Sequence, residues 1–197
     1  MANPNNDSAN AGVMKGDVTG YAFWAPLGTT YEPAMVKSRT VPAGFKPLGF
    51  IDSDGIVNSR SADATEEQDM NGTTVVVLKT GYTETYQQKF MERTEETLKL
   101  NFGQSNVSRD TASGVQTVRH NASFDATGFM LLYRYISRET DTAYEYTDEV
   151  VPNAKVKELG DVTKAGNALY KLDSTISALP DAKGNNAYEY SASVNKA

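Results

Sequence analysis

The chain reads as a mainly β protein, a β-sandwich or barrel-like fold with one short α-helix, on three observations. Tyr, Phe, Val and Thr are plentiful, with eleven tyrosines and seven phenylalanines in 197 residues. These residue types suit a pleated, half-buried surface. Apolar stretches are short and broken by Gly, Asn, Asp and Pro. Several stretches alternate apolar and polar residues with the period of two that a strand imposes.

The elements follow in order. Residues 1–18 form an N-terminal arm, rich in Asn and Ser over Met1–Asn10. A first strand covers Thr19–Trp24 and stops at Pro26. A short second strand at Leu48–Ile51 runs into the turn Asp52-Ser53-Asp54-Gly55. Residues 56–71 show no apolar period and carry Asp63, Glu66, Glu67 and Asp69 with no base among those four. The spacing predicts a long polar loop over 53–71, and loops of that length inside a domain often carry function.

Strand signals return at Thr73–Lys79. Next, Tyr82, Tyr86 and Phe90 share one parity, while Thr83, Thr85, Gln87 and Lys89 share the other. Thr94 suits a helix N-cap, Glu95 and Glu96 suit its first turn, and Gly103 suits its end. A short helix is therefore predicted over 94–103. Strands are predicted at Val115–Phe124 and Gly128–Ser137, joined by the turn Asp125-Ala126-Thr127. The run Phe129-Met130-Leu131-Leu132-Tyr133 is apolar on both parities, which predicts cover on both faces. Thr142–Val151 alternates again, with Pro152 ending it. Val156–Val162 and Ala168–Leu179 give the last strands, and a C-terminal arm spans 181–197. Residues 19–180 read as one β-domain without internal repeats.

Composition narrows the function. Apolar residues at 39% and charged residues at 22% support a packed core and exclude a wholly disordered chain. No apolar run approaches the roughly 20 residues of a membrane helix, and no signal peptide is read at Met1–Asn10. The absence of cysteine excludes disulfides, thiol catalysis and cysteine metal sites, and the single histidine excludes a histidine-rich one. The net charge of -6 argues against tight, sequence-independent binding of nucleic acid.

No catalytic constellation is visible. His120 shares the parity of Val118 and Phe124 in an expected strand, and reads as a packed residue rather than a base or ligand. Asp52-Ser53-Asp54-Gly55 starts like a calcium loop, but Asn58 breaks the pattern and an Asp-Gly turn explains it. Trp24 and the tyrosines are spread over every strand, as core and interface use requires. The adjacent pairs Glu66/Glu67 and Glu95/Glu96 point apart on a strand or lie solvated on a loop.

One resemblance adds to this. Ala25-Pro26-Leu27-Gly28-Thr29-Thr30-Tyr31-Glu32-Pro33, then Phe45-Lys46-Pro47-Leu48-Gly49-Phe50-Ile51-Asp52-Ser53-Asp54-Gly55, resembles the N-terminal pattern of major tail tube proteins of long, non-contractile-tailed phages, especially those of actinobacteria. Pro26, Gly28, Thr29 and Gly49 carry its turns. Phe90-Met91-Glu92, Thr94-Glu95-Glu96-Thr97-Leu98 and Phe102-Gly103 look like that family's strand-to-helix segment. The match spans roughly residues 19–180, and the polar residues 1–15 depart from it.

The resemblance implies a structural virion protein, not an enzyme, without cofactor or metal. It implies hexameric rings stacked into a tail tube that conducts the genome. Partners would be the chain itself, tape measure, tail terminator and distal tail proteins, and passing double-stranded DNA without tight binding; no membrane is involved. Location would be the virion tail, after assembly in the host cytoplasm. Under this reading Asp54, Gly55, Asp63, Glu66, Glu67 and Asp69 form a ring or stacking interface. Arg93, Arg109, Arg119, Arg134 and Arg138 are candidate partners for it. Thr83, Thr85, Gln87 and Lys89 are candidate lumen residues, with Gln116 or Thr117 across from them. The competing class is a monomeric virion-associated β-sandwich that binds a receptor or glycan, which would need aromatics clustered at one end.

Overall fold

The computed structural model describes residues 12–121 and 127–196. Residues 1–11 of the expected arm and the expected turn at Asp125-Ala126 lie outside them. The strands are β1 Lys15–Gly16, β2 Ala22–Pro26, β3 Lys46–Pro47, β4 Val57–Gln68, β5 Thr74–Phe90, β6 Val107–Arg109, β7 Gln116–Val118, β8 Phe129–Glu139, β9 Ala143–Leu159, β10 Leu172–Ala178 and β11 Tyr188–Asn195. Two helices, α1 Met35–Ser38 and α2 Glu95–Phe102, and a 3-10 turn at Gln104–Asn106 complete the described residues.

Nine strands make one antiparallel sheet in the order β3-β2-β8-β9-β10-β5-β4. β1 and β2 lie end to end along one edge of β8. β10 and β11 do the same along β9, β10 against Ala154–Leu159 and β11 against Ala143–Val150. The sheet curls, so Tyr86 of β5 meets Tyr133 of β8 with ring centroids 5.5 Å apart. β6 and β7 form a separate two-stranded sheet.

β8 is covered on both faces, as its double-parity apolar run predicts. Leu131 and Tyr133 enter the main core with Trp24, Tyr86, Phe90, Val151, Ile176 and the α2 residues Leu98 and Leu100. Met130 and Leu132 turn the other way, to Phe23, Ala25, Phe45 and Val150. Burial of each large apolar side chain is worth about 1.5–3 kcal/mol, so these two clusters dominate the stability. α2 forms where its signals predict. Thr94 Oγ1 accepts from Thr97 N at 3.2 Å and Thr97 Oγ1 accepts from Thr94 N at 3.0 Å, a capping box with Thr in place of the usual Glu or Gln. Trp24 is buried, and its Nε1 donates to Glu96 Oε2 at 3.1 Å, which satisfies the indole.

An ionic network fastens the second cluster. Arg134 and Asp148 are fully buried side by side, Nε to Oδ2 3.2 Å. Arg39 reaches Asp148 at 2.8 Å and also grips Asp17. Tyr31 donates to Asp148 at 2.8 Å. Desolvation pushes the Asp17 carboxyl up, but donors from Thr19 and Arg39 outweigh it and hold the pKa below its usual value.

Several expectations are corrected. Residues 57–68, expected as loop, are strand β4, because β5 supplies a full hydrogen-bonding partner along them. Strand pairing continues through Pro152. The β8 partners jump from Leu131↔Val151 to Phe129↔Ala154, so Pro152 and Asn153 oppose the single residue Met130. That bulge accommodates an imide with no N–H to offer. Leu48–Ile51 is reduced to β3 at 46–47 and an isolated bridge from Ile51 to Phe90. Of the strand expected over 115–124, the described residues form strand at Gln116–Val118, and 122–124 lie outside them. The stretch 160–171 between β9 and β10 contains no strand. The chain ends are docked rather than free where described: β1 pairs with β8, Asp17 is buried, and β11 lies along β9.

Candidate functional site

Thr83, Thr85, Gln87 and Lys89 occupy one face of β5, opposite the buried Glu84, Tyr86, Gln88 and Phe90. The expected alternation is what the strand shows. Cross-strand partners extend this polar face: Ser61, Ser59 and Val57 on β4 stand beside Thr83, Thr85 and Gln87. On the other side Ser177, Thr175 and Asp173 of β10 stand beside Thr85, Gln87 and Lys89. Short hydroxyl side chains therefore dominate it. Gln116 and Thr117 do not lie across from β5. They belong to β7, which pairs with β6.

Beyond this face β4 and β5 continue as a hairpin. Nearly every residue from 59 to 79 is exposed on both sides of the ribbon. Val75, Val76, Val77 and Leu78 are 44–61% exposed, and Met70 at the tip is fully so. Asp69 Oδ1 accepts from Asn71 N and Thr73 N, both at 2.9 Å, and Gly72 takes φ +79° to close the turn. These backbone donors hold the Asp69 carboxyl below its usual pKa. The acidic residues are distributed along the ribbon rather than gathered. Asp63 opposes Gly81, next to a bulge, while Glu66 and Glu67 oppose Val77 and Val76 on opposite faces. The outer edges of β4 and β11 pair with no other strand among the described residues.

Asp54 and Gly55 sit at the other end of the hairpin, away from that acidic stretch. Gly55 N donates to Asp52 O at 2.9 Å in the expected turn. Lys171 binds Asp52 and Lys89 binds Asp54, each at 2.7 Å, so both carboxylates are already occupied by ammonium groups. The family-type turn is equally well defined. Thr29 N and Oγ1 donate to Pro26 O at 3.2 and 2.7 Å, with Gly28 at φ +84°. Gly49 has φ +75°, and a Cβ there would clash with the Glu92 carboxylate. That carboxylate accepts from Phe50 N at 2.9 Å.

Where the hairpin leaves the sheet, carboxylates converge. Glu84 accepts from Asn58 Nδ2 at 2.9 Å, Tyr82 Oη at 3.0 Å and Tyr86 Oη at 3.2 Å. Tyr86 Oη is also 2.5 Å from Glu149 Oε1 of β9. Glu149 stands directly opposite Glu189 of β11. Desolvation pushes the Glu149 carboxyl up; the Tyr86 hydrogen bond works against it, the charges of Glu189 and Glu84 add to it, and the net direction is upward. Sequence reasoning missed this cluster, because no local spacing links residues 84, 149 and 189.

Among the expected basic partners, Arg134 is buried against Asp148 and cannot reach a neighbour. Arg109 and Arg138 are about half exposed, each near a glutamate of its own chain. Arg93 donates weakly to Gln116. His120 is exposed and rests on the Phe102 ring, centroids 4.7 Å apart. No group of three or more His, Cys, Asp or Glu suited to a metal ion occurs among the described residues. No helix among them is long and apolar enough to cross a membrane.

No curated protein matches the chain. The family model described as phage tail tube protein matches residues 6–194, so the chain belongs to that family and has its structural role in a phage tail tube.

Proposed function

We propose that six subunits close into a ring, that rings stack into a tube, and that the genome passes through it during delivery. The observation that carries this reading is the hairpin 57–79. A ribbon exposed on both faces and bearing Val75, Val76, Val77 and Leu78 is an aggregation hazard in a solitary molecule. It makes physical sense when a neighbour covers it. The unpaired outer edges of β4 and β11 support the same reading, since ring closure would satisfy them.

In this assembly Thr83, Thr85, Gln87 and Lys89 line the lumen. Their face is dominated by short hydroxyls, and its Lys89 is paired with Asp54, so it offers no dense cation stripe to trap phosphates. Asp63, Glu66, Glu67 and Asp69 meet the next subunit or ring, with Arg93, Arg109, Arg119 and Arg138 as candidate bases. The ends of the tube would meet tape measure, terminator and distal tail proteins, with assembly in the host cytoplasm.

Negative-stain microscopy of the purified protein tests this. Hollow tubes of stacked rings are expected at high concentration. A variant with residues 62–80 replaced by a short Gly-Ser turn should keep its core, because the excised residues are almost all exposed. It should lose the strand signal of the ribbon alone and build no tubes. Tubes of normal length from that variant would remove the hairpin from the interface, and dispersed particles from the intact chain under all conditions would remove the tube reading itself.

A further inference from the structure

We propose that the root of the hairpin is a proton-held clasp. Glu149 and Glu84 share one extra proton through Tyr86 Oη, and losing it as the pH rises loosens both the hairpin and the C-terminal strand β11 from the sheet. The clasp is a property of the single subunit and does not depend on how subunits assemble.

The argument begins with hydrogen counting. Tyr86 Oη lies within bonding distance of two carboxylates, Glu149 at 2.5 Å and Glu84 at 3.2 Å. A phenol carries one proton, and an ionised carboxylate carries none. With both acids ionised, one of these contacts joins two oxygens with no hydrogen between them. One added proton resolves this. Glu149 as a carboxylic acid donates to Tyr86 Oη, which then donates to Glu84. Asn58 and Tyr82 already donate to Glu84, so it is the better site for the remaining charge.

Cross-strand placement agrees. Glu149 stands opposite Glu189 in the β9–β11 pair, and like charges directly opposed destabilise a ladder. Protonation of Glu149 removes that repulsion. The groups facing it come from every packed element. β4 supplies Asn58 and Arg60, β5 supplies Tyr82, Glu84 and Tyr86, β8 supplies Tyr133 and Tyr135, and β11 supplies Glu189. Arg60 opposes Glu84 across the β4–β5 ladder, but it is exposed, so water screens its charge. Lys79 lies over the Tyr82 ring at 5.7 Å and borders the same cleft as Glu84. Glu149 also borders a cleft of about 430 Å³ with Tyr21, Asp54, Asn58 and Tyr135, which gives the proton a route to solvent.

The sign follows from linkage. A carboxyl whose pKa is raised by folding contributes stability that is complete below its unfolded pKa, about 4.3. That stability is lost as the pH rises through the folded pKa. The hairpin β4–β5 and β11, which the cluster ties to β9, are the elements that should loosen.

The test uses the full chain at concentrations where it is dispersed. Carboxyl carbons of labelled glutamates are titrated by NMR from pH 4 to 9. Amide exchange in β4, β5 and β11 is followed over the same range, corrected for the intrinsic effect of hydroxide. Glu149 should titrate above an ordinary glutamate. Protection in the three strands should fall as it does. In Glu149→Gln the amide donates to Tyr86 Oη permanently, so the fall should disappear. An ordinary or lowered titration of Glu149 in the unmodified chain overturns the proposal and needs no variant. So does a Glu149→Gln chain whose β4, β5 and β11 lose protection with pH as before.

Discussion

Single residues fix the turn beside β3 and the segment between β1 and β2. Gly49 is the clearest case, since both its backbone and its surroundings exclude a side chain. Its φ of +75° costs a non-glycine residue about 1 kcal/mol or more, and the Glu92 carboxylate fills the space of a Cβ. Gly28 has a similar φ of +84° but open space around it. Gly49→Ala should therefore destabilise by about 1–3 kcal/mol in urea unfolding, and Gly28→Ala by less; equal losses would show that strain alone matters. Asp17 makes a different point. Desolvation works against its charge, yet the Thr19 and Arg39 donors prevail and lower its pKa. Its contribution is present above the unfolded value near 3.9 and is lost as the pH falls further. Asp17→Asn should cost about 1–3 kcal/mol at pH 7, because Arg39 loses a charged partner. The variant should then lose less stability than the parent between pH 5 and 2, and parallel acid curves would contradict this.

At the scale of elements, what could be read from the sequence depends on whether a face is buried. β8 announced itself because both parities are apolar, and α2 because its cap, first-turn acids and terminal glycine are local signals. The polar parity of β5 was legible for the same reason, since Tyr86 and Phe90 mark the opposite face. β4 was not, because its residues are exposed on both sides and no alternation arises. The one local clue was Asn71-Gly72, a strong hairpin turn signal between residues 68 and 74. Pro152 misled because a proline normally ends pairing, whereas here a bulge absorbs it. The carboxylate cluster was invisible, because β5, β9 and β11 meet only through the sheet order. The exposure of β4 also gives a prediction. Glu66→Lys with Glu67→Lys should change the stability of the subunit by no more than about 0.5 kcal/mol, as is usual for exposed positions. It should slow tube growth at low salt, and added salt should narrow the difference, since exposed charges are screened beyond about 8–10 Å. Unchanged growth at low salt would mean that these acids meet no bases in the assembly.

For the whole molecule, the charge balance sets how a tube would treat the DNA inside it. Each chain carries -6, so every ring multiplies an acidic field. The face proposed for the lumen is built from Thr83, Thr85, Gln87, Ser59, Ser61, Thr175 and Ser177, with Lys89 held by Asp54. Short hydroxyls can exchange hydrogen bonds with water as readily as with phosphate, and the paired lysine gains little by releasing a counterion. Such a wall should let a polyanion slide. Assembled tubes mixed with linear duplex DNA at about 0.15 M salt, near physiological ionic strength, should retain none on sedimentation. Replacing Thr83 and Thr85 with lysine places two unpaired cations per subunit on that face. If the face lines the lumen, those tubes should bind DNA, and the binding should fall steeply as salt is raised, by the counterion-release relation. Tubes that carry these lysines and still ignore DNA, while the same change on an exposed outer position creates binding, would show that the opposite side of the sheet faces the channel.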